Sequence, residues 1–361
     1  MHPIKVNNVR LELIWFDSMG AKSSSIFVET PDIKLLVDPG AAGMQPSYPL
    51  SSFEKEKLRK KALSAIRERS KDATHIFISH YHYDHHTLPS RAKDIYAEKI
   101  LWIKDPNRWI NKSQWERARL FLHELYNTFK GEDSSPILIS PKQFNVHDPI
   151  DELPLAMSKD YGDYSDRKKE LLSKGRKWFT NMVDIWTHNQ WVPEFKVGEL
   201  EVNFVDGKQF KIGNTKIRFT KPLFHGIEYD RVGWVIALIL EYGDTKILYT
   251  SDLQGPMIED YAEWIIRENP DLLIADGPPT YLLGYMLNQI NLRRATSNIV
   301  RIINETNTKL IIYDHHLLRE KLFRQRMQRA YDEASKQGKN FVTAAEWLGD
   351  EPLILKLTRG A

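Results

Sequence analysis

The chain has 361 residues, of which 42% are hydrophobic and 11% aromatic, enough to bury a sizeable core. Its net charge is only +3, which excludes the densely basic surface of a dedicated nucleic-acid-binding protein but not a local cationic rim. There is no Cys, so disulfides are excluded and every side-chain metal ligand must be His, Asp or Glu.

The beginning of the chain predicts three strands joined by short connections. Residues 10–16 and 25–29 have the composition of strands, and residues 33–38 end at Asp38 before a Pro-Gly turn. We expect the three strands to form an antiparallel meander. The polar loop at residues 17–25 contains a Gly, so it suits either close backbone approach to a ligand or an ordinary hairpin connection.

The next stretch alternates helices with short strands. Residues 51–72 predict a helix with a solvated charged face, and residues 74–79 and 100–103 predict strands. An amphipathic helix is predicted over residues 111–126, with Ser113 as its N-cap. Its basic residues Lys112, Arg117 and Arg119 suit a phosphate site, but ordinary helix surface is the favoured interpretation.

Residues 148–193 have the composition of a helical insertion. They contain a charged helix at 165–178 and a Trp-rich end at 184–193. Aromatic clusters of this kind usually pack a subdomain or a dimer contact, and they also shape substrate pockets.

The second half of the chain returns to strands and then alternates them with helices. Strands are predicted at 200–205, 215–220, 233–241, 246–250, 272–275 and 310–313, and helices at 257–268 and 295–305. Each half therefore pairs a sheet with helices. We predict a single domain over residues 1–361 in which the two sheets stack face to face.

Residues 76–86 read IFISHYHYDHH and hold four of the 12 His of the chain. On a strand that leads into a turn, His80 and His82 point the same way, because side chains alternate with period two. Asp84 and His85 follow on the turn and can aim at a second point nearby. Imidazoles and carboxylates clustered in this way are typical of a pair of metal ions.

Three later residues follow the same pattern, in which an apolar strand ends at a polar group. They are His225, Asp252 and His315. Strand ends that converge on one edge of a sheet sandwich commonly build ligand sites. Each residue alone is a weak signal, because a His or Asp after a strand is more often a capped turn.

Together these residues resemble the signature of the metallo-β-lactamase superfamily, H-x-H-x-D-H followed by a His, an Asp and a His. The match runs from Asp38 to His315 and so covers most of the chain. A narrower resemblance, to an uncharacterised archaeal family of predicted metal-dependent hydrolases with this fold, is carried by VETPDIKLLVDPG (28–40), DGPPTYL (276–282), DHHLLR (314–319) and TAAEWLG (343–349). The resemblance implies a four-layer αββα sandwich.

The resemblance also implies ligands for two divalent ions, with Zn expected and Mn or Fe as alternatives. The implied first position uses His80, His82 and His225, the second uses Asp84, His85 and His315, and Asp252 bridges the two.

Three further residues have supporting or alternative roles. Asp38 would orient the His-rich loop by hydrogen bonding, and His86 would support the site or begin a helix. The last ligand is either His315 or His316, although DHHLLR resembles the H-x-S-x-R stretch of superfamily nucleases and favours His315.

Such a site would present a hydroxide bridged by two metal ions to a phosphorus or carbonyl centre. Asp84, Asp252 and His316 are the predicted catalytic residues, and Lys22, Ser23, Tyr281 and Arg319 the predicted substrate contacts. The leading hypothesis is hydrolysis of a phosphoester in a nucleotide, a nucleic acid or a small phosphodiester. Hydrolysis of a lactone, ester or thioester is the alternative, followed by a redox or metal-binding role.

Partners and location follow from what the sequence lacks. The first residues do not have the basic-then-apolar pattern of a signal peptide, and no apolar run approaches ~18 residues. We therefore expect a cytoplasmic protein with no membrane partner. Nucleic acid remains open as a substrate although the charge does not indicate it, and homo-oligomerisation remains open as well.

Overall fold

The computed structural model describes residues 3–130 and 138–359. Its strands are β1 Ile4–Val6, β2 Val9–Phe16, β3 Ser24–Glu29, β4 Lys34–Val37, β5 His75–Ile78, β6 Ile100–Ile103, β7 Phe195–Val197, β8 Leu200–Phe204, β9 Gln209–Ile212, β10 Thr215–Phe219, β11 Leu223–Phe224, β12 Trp234–Val235, β13 Leu238–Tyr242, β14 Thr245–Tyr249, β15 Leu272–Asp276, β16 Leu310–Asp314 and β17 Asn340–Val342.

These strands form two large sheets and one short ribbon. The first sheet has the order β1-β2-β3-β4-β5-β6-β8-β7, and the second has the order β17-β16-β15-β14-β13-β10-β9. Strands β11 and β12 pair only with each other and form the ribbon. Strands β4, β5 and β6 are parallel, as are β14, β15 and β16, so their carboxyl ends lie along common edges.

The helices are α1 Ser52–Ser70, α2 Pro89–Ala92, α3 Lys112–Lys130, α4 Pro154–Ser158, α5 Ser165–His188, α6 Glu259–Glu268, α7 Gln289–Glu305, α8 Phe323–Arg326, α9 Gln328–Lys336, α10 Ala344–Trp347 and α11 Leu353–Thr358. Short 3₁₀ turns lie at Asp17–Met19, Lys93–Ile95, Pro149–Glu152, Gly162–Tyr164, Thr280–Leu282 and His315–Arg319.

Three hydrophobic cores separate four layers. Strand β5 makes the arrangement visible, since Ile76 and Ile78 pack in the core under α1, α3 and α5, whereas Phe77 packs between the two sheets. The second sheet does the same on its other face, where Leu248 packs in the core with α6, α7 and α9. Alternating side chains thus serve two cores at once, and the predicted αββα sandwich is confirmed.

Four predicted elements are corrected by the structure. The predicted strand at 233–241 is two strands, because the chain leaves the ribbon after Val235 and joins the second sheet only at Leu238. Helix α3 is capped by Asn111, whose Oδ1 accepts the Gln114 N–H at 2.7 Å, and not by Ser113. Helix α7 begins at Gln289, before the predicted start at 295.

Helix α5 continues to His188, well past the predicted end at 178. The reason is that Phe179, Met182 and Trp186 keep the helical spacing and stay buried. Trp186 is 1% exposed, and its indole N–H donates to the Ile110 carbonyl at 2.9 Å. The Trp-rich end therefore packs helix α5 onto the body of the protein. That residues 148–193 are an insertion within one domain remains a prediction; we call them the helical segment below.

Candidate metal centre

Six strands deliver polar side chains to one edge of the sandwich. His80 follows β5, Asp252 follows β14 and His315 follows β16, while His225 follows β11 of the ribbon. Of these four side chains, none is more than 1% exposed. Asp38 after β4 and Asp276 at the end of β15 complete the edge, and they are buried as well.

The first group of ligand atoms joins His80, His82, His225 and Asp252. One donor atom from each lies within 4.8 Å of the others. His80 Nε2 is 3.0 Å from His82 Nδ1, and His225 Nε2 is 3.1 Å from Asp252 Oδ2.

The second group joins Asp84, His85 and His315 within the same limit. His85 Nε2 is 3.3 Å from His315 Nε2, and the two nitrogens lie 3.1 Å and 3.4 Å from Asp252 Oδ2. Asp252 therefore lies between the two groups. His316 also reaches Asp252 within the 4.8 Å limit, in a third group with His315.

The donor atoms fit divalent cations. Both carboxylate oxygens of Asp252 and the Nε2 atom of His225 are buried without a hydrogen-bond partner among the described residues. A buried carboxylate without hydrogen bonds is costly unless a cation compensates it. Imidazole nitrogens and a carboxylate, with no thiolate, are also the ligands that Zn²⁺ and similar borderline ions accept.

The charges of the centre agree with this reading. Burial lowers the pKa of His80 and of His82 well below the ordinary value, and neighbouring imidazoles add to the effect, so both rings are neutral and keep a lone pair. Burial disfavours charge on Asp252, but His85 and His315 outweigh it and hold its pKa well below the usual range. Burial also opposes charge on His85, yet Asp252 and Asp38 raise the pKa of His85 to about 10, so without a cation this ring carries a proton that a bound metal ion would displace.

Carboxylates behind the imidazoles set the ring orientations. Asp38 Oδ2 is 2.8 Å from His85 Nδ1, and Asp38 also accepts the backbone N–H and the hydroxyl of Ser79 at 2.7 and 2.6 Å. Asp17 Oδ1 is 2.8 Å from His315 Nδ1. In both rings Nε2 is left to face the centre.

His86 supports the motif from the other side. It is fully buried, and its Nδ1 is 2.9 Å from the His82 carbonyl oxygen. Its ring lies against Tyr81, Tyr83 and Phe121. The structure therefore brings His86 next to the His82 backbone rather than into the group of ligand atoms.

The backbone around the centre is strained at several non-glycine positions. Asp38, Ser251, Gln254 and His315 have φ angles of 46°, 54°, 52° and 62°. Left-handed φ at such residues costs free energy and persists where the surrounding structure over-determines it. Here the buried hydrogen bonds of Asp38 and His315 hold the backbone in this conformation.

A cleft of about 300 Å³ opens onto the centre. Its lining includes four of the residues proposed from the sequence for chemistry or substrate contact besides the ligands, namely Lys22, Tyr281, His316 and Arg319. A larger cavity of about 660 Å³ is lined by Phe224 and Trp234 but by none of the clustered His and Asp, so volume does not locate the chemistry.

Two residues differ from the sequence interpretation. Ser23 is fully buried, its N–H donates to Asp17 and its hydroxyl donates to the Gly40 carbonyl, so it does not line the cleft as a substrate contact. Arg117 does line the cleft, although ordinary helix surface was the favoured interpretation. Arg119 instead donates to the carbonyls of Pro106 and Gln190, and Lys112 is exposed.

Three residues near the centre were not among the predicted site residues. Asp17 also accepts from Arg319 Nε at 2.7 Å, and Asp276 Oδ2 is 3.0 Å from His316 Nδ1. Gln254 Nε2 is 3.2 Å from His225 Nδ1. Two of them had a sequence signal, because Asp276 begins the DGPPTYL stretch at a strand end and Asp17 begins the Gly-containing loop.

The four-layer fold and the His/Asp edge define a protein of the metallo-β-lactamase superfamily. The sequence profile of that superfamily, described as Metallo-beta-lactamase superfamily, matches residues 20–86. The fold of this superfamily binds divalent metals, and its members are mostly metal-dependent hydrolases.

Within the superfamily, the chain belongs to the UPF0282 family. It is 32% identical to the UPF0282 protein of Methanopyrus kandleri over 365 residues, which covers 97% of this chain and 98% of the relative. It is 33% identical to the UPF0282 protein of Pyrococcus furiosus over 356 residues, covering 95% and 88%. The resemblance to an archaeal family seen in the sequence is thereby confirmed.

Solved structures with similar folds are more distant. YhfI from Bacillus subtilis, a metallo-β-lactamase fold protein, is 14% identical with a TM-score of 0.42, covering 93% of this chain and 95% of its own. Unliganded yeast PDE1 is 11% identical with a TM-score of 0.44, covering 93% and 97%. In the described residues no helix has the length and apolar character needed to cross a membrane.

Proposed function

We propose that this protein is a dinuclear metallohydrolase that cleaves a phosphoester. The observation that carries the metal part is Asp252, a buried carboxylate without hydrogen bonds whose Oδ2 has four imidazole Nε2 atoms within 3.5 Å. Two divalent ions, with Zn expected and Mn or Fe as alternatives, would supply an activated water and stabilise the charge that develops on the substrate oxygens. His80, His82 and His225 would hold one, Asp84, His85 and His315 the other, and Asp252 both.

The geometry favours His315 over His316 as the last ligand. His315 Nε2 lies beside His85 Nε2, and Asp17 occupies its other ring nitrogen. His316 Nδ1 instead contacts Asp276, and the residue lines the cleft, so its Nε2 suits a hydrogen bond to a substrate oxygen. We therefore assign His316 to the substrate and His315 to the metal.

The cations of the cleft favour phosphorus over carbon. Lys22 and Arg117 have no carboxylate partner among the described residues, and Arg319 Nη2 lies 3.4 Å from Asp84 Oδ2. Burial and the charge of Arg319 lower the pKa of Lys22, and a bound anion would relieve both effects. A phosphoester brings that negative charge, whereas a lactone does not.

Tyr281 and Arg319 are positioned to act together on a substrate oxygen. Arg319 Nη1 lies 3.4 Å from the Tyr281 hydroxyl, and Asp17 fixes Arg319 through Nε at 2.7 Å. The guanidinium is therefore held in one orientation at the cleft before substrate arrives, which lowers the entropic cost of binding.

Metal analysis of protein purified without added metal, followed by a substrate screen, tests the proposal. Bis-p-nitrophenyl phosphate, a lactone panel and labelled RNA and DNA are compared for wild type and Asp84→Ala, with the exposed Asp163→Ala as the matched control. We expect metal in the wild type and phosphodiester turnover that Asp84→Ala loses and Asp163→Ala keeps. Trace metal only, or activity surviving in Asp84→Ala, would overturn the proposal, and lactone turnover without phosphodiester turnover would reject the substrate class.

A further inference from the structure

The loop that carries His225 is held by residues remote in sequence. This His225 loop, residues 225–233, joins β11 to β12, and its ends are tied by the His225 N–H donating to the Gly233 carbonyl at 3.0 Å. The Nδ1 atom of the His225 side chain is supported by Gln254, whose Nε2 lies 3.2 Å away. The direction of its Nε2 atom therefore depends on what holds the rest of the loop.

A buried charge cluster holds the middle of the loop. It consists of Lys168, Glu228, Glu259 and Arg294, whose side chains are between 0 and 11% exposed. Glu228 accepts from Lys168 Nζ at 2.5 Å and from Arg294 Nη2 at 2.6 Å, and Arg294 also donates to Glu259 at 2.7 Å. Every charge in the cluster has an opposite charge in contact.

The cluster crosses from the helical segment to the second sheet's helices. Lys168 lies on α5, Glu259 on α6 and Arg294 on α7, while Glu228 belongs to the His225 loop. The ring of Tyr161, also in the helical segment, lies 5.3 Å from Lys168 Nζ and 5.4 Å from Arg294 Cζ. Buried ion pairs with complete partners favour one arrangement over its alternatives.

A second contact from the helical segment holds the next residue of the loop. The Tyr229 hydroxyl donates to Asp148, which also accepts from Arg176 Nε at 2.6 Å. Helix α5 approaches Tyr229 so closely at Gly175 that an added Cβ would lie 2.5 Å from the Tyr229 Cβ. The helical segment thus touches both residues that follow Ile227.

We propose that the helical segment clamps the His225 loop, so that Lys168 and Asp148 keep His225 Nε2 directed at Asp252 and thereby set the affinity of one metal position. This inference rests on the metal part of the proposed function, because His225 would be a ligand of only one of the two ions. His80 and His82, the other imidazole ligands of that ion, follow a strand of the first sheet. The far end of the loop is already held by Asn111 and Gln114, which donate to the carbonyls of residues 231 and 232. The clamp adds support at the residues nearest the third imidazole of that site.

The test titrates Zn²⁺ into metal-free protein against a chromophoric chelator and compares Lys168→Met with wild type. We expect the Kd of one of two Zn²⁺ ions to rise by about 10-fold, the effect typical of losing a group that orients a ligand, without a change in the other. Lys168→Arg should restore most of the affinity. Lys169→Met is the matched control, because Lys169 is the next residue of α5 and its side chain is 77% exposed.

A second variant and a second readout separate clamping from general stability. Asp148→Asn weakens the contact with Tyr229 at the edge of the segment, where the Asp148 side chain is 21% exposed. It should lower the affinity for the same one of the two Zn²⁺ ions. Melting of the metal-free variants reports stability alone. The clamp alone would be overturned if the variants weakened the binding of both Zn²⁺ ions equally. It would also be overturned if wild type bound two ions and both Lys168→Met and Asp148→Asn kept the wild-type affinities. A wild type that binds no Zn²⁺ would overturn the metal proposal and the clamp with it.

Discussion

The His225 loop takes part in two buried clusters of charge that differ in completeness. In the buried charge cluster Glu228 and Glu259 face Lys168 and Arg294, and each charged group has a partner within 2.7 Å. In the candidate metal centre the carboxylate of Asp252 has imidazoles around it but no hydrogen-bond partner among the described residues. The first cluster contains carboxylates and the cations that pair with them. The second contains mainly imidazole nitrogens and carboxylate oxygens that could bind a metal ion.

This difference distinguishes charged groups that stabilise the fold from charged groups that are available to bind a ligand. A complete ion cluster resists rearrangement and has no unpaired charge to offer a ligand, whereas an incomplete one gains free energy when a ligand supplies the missing partner. The same criterion applies at the cleft, where Asp17 anchors Arg319, whereas Lys22 and Arg117 have no carboxylate partner within residues 3–130 and 138–359. Unpaired groups at one edge of the sandwich mark where substrate and metal are expected.

Removing the central carboxylate should have the largest effect. Asp252→Ala takes away the group proposed to contact both metal ions, so we expect metal content to fall and kcat/KM for bis-p-nitrophenyl phosphate to drop by about 10³-fold or more. Metal analysis and steady-state kinetics check it, with Asp163→Ala as control. An Asp252→Ala protein with full metal content would break the contrast between the two clusters.

Removing one charge from the complete cluster should instead cost stability. Glu228→Gln leaves the Arg294 guanidinium, 2% exposed, without one of its two carboxylates. We expect the free energy of unfolding of metal-free protein to fall by about 3–5 kcal/mol, the cost of breaking a buried pair. Urea unfolding followed by circular dichroism measures it, and Glu170→Gln on the exposed face of α5 should stay within about 0.5 kcal/mol of wild type.

The same cluster should make stability depend on acid. Burial disfavours charge on Glu228, but Arg294 and Lys168 outweigh burial and lower its pKa to about 2, from 4.5. Between these pH values Glu228 is protonated in the unfolded chain but ionised in the folded chain. Its contribution to the free energy of unfolding is therefore complete above pH 4.5 and is lost as pH falls towards 2. Over that window we expect a loss of roughly 3 kcal/mol that Glu228→Gln lacks. The expectation would be contradicted if the free energies of unfolding of wild type and Glu228→Gln changed equally with pH over this window.

The ligands of the proposed centre could be found from the sequence because they are tied to strand ends. Residues 80–85 place two imidazoles and an Asp-His pair within six positions that follow a strand. His225, Asp252 and His315 each follow the end of an apolar strand. Strand order was not needed for Asp252 and His315, since the parallel strands β14, β15 and β16 bring their carboxyl ends to the same edge. His225 follows the antiparallel ribbon, so this rule does not cover it. The sandwich itself followed from alternating strands and helices.

The supporting groups could not be found in this way. Asp17 and Gln254 are common residue types in loops, and their roles depend on contacts with His315 and His225 that exist only after the sheets have stacked. The same holds for Glu228, which reads as one charge among 48 acidic residues until Arg294 and Lys168 surround it. Arg117 was read as ordinary surface because helical spacing does not reveal which charged face borders a cleft.

The smallest expected effect concerns that arginine. Arg117→Met removes a cation that lines the cleft and lies 5.0 Å from the Tyr83 ring centroid. A cation that binds substrate and transition state equally changes KM rather than kcat, so we expect KM for a phosphodiester to rise by about 10-fold with kcat nearly constant. Lys112→Met, on the same helix but outside the cleft lining, should leave KM unchanged.

Substrate charge sharpens this last comparison. If Arg117 acts through the negative charge of the phosphoester, its contribution should shrink as salt screens the cleft, and wild type and Arg117→Met should converge at high ionic strength. A lactone carries no such charge, so any lactone turnover should be equal in the two proteins at all salt concentrations. An Arg117→Met variant that loses kcat instead, for charged and neutral substrates alike, would mean that the arginine supports the geometry of the centre rather than recognising an anion.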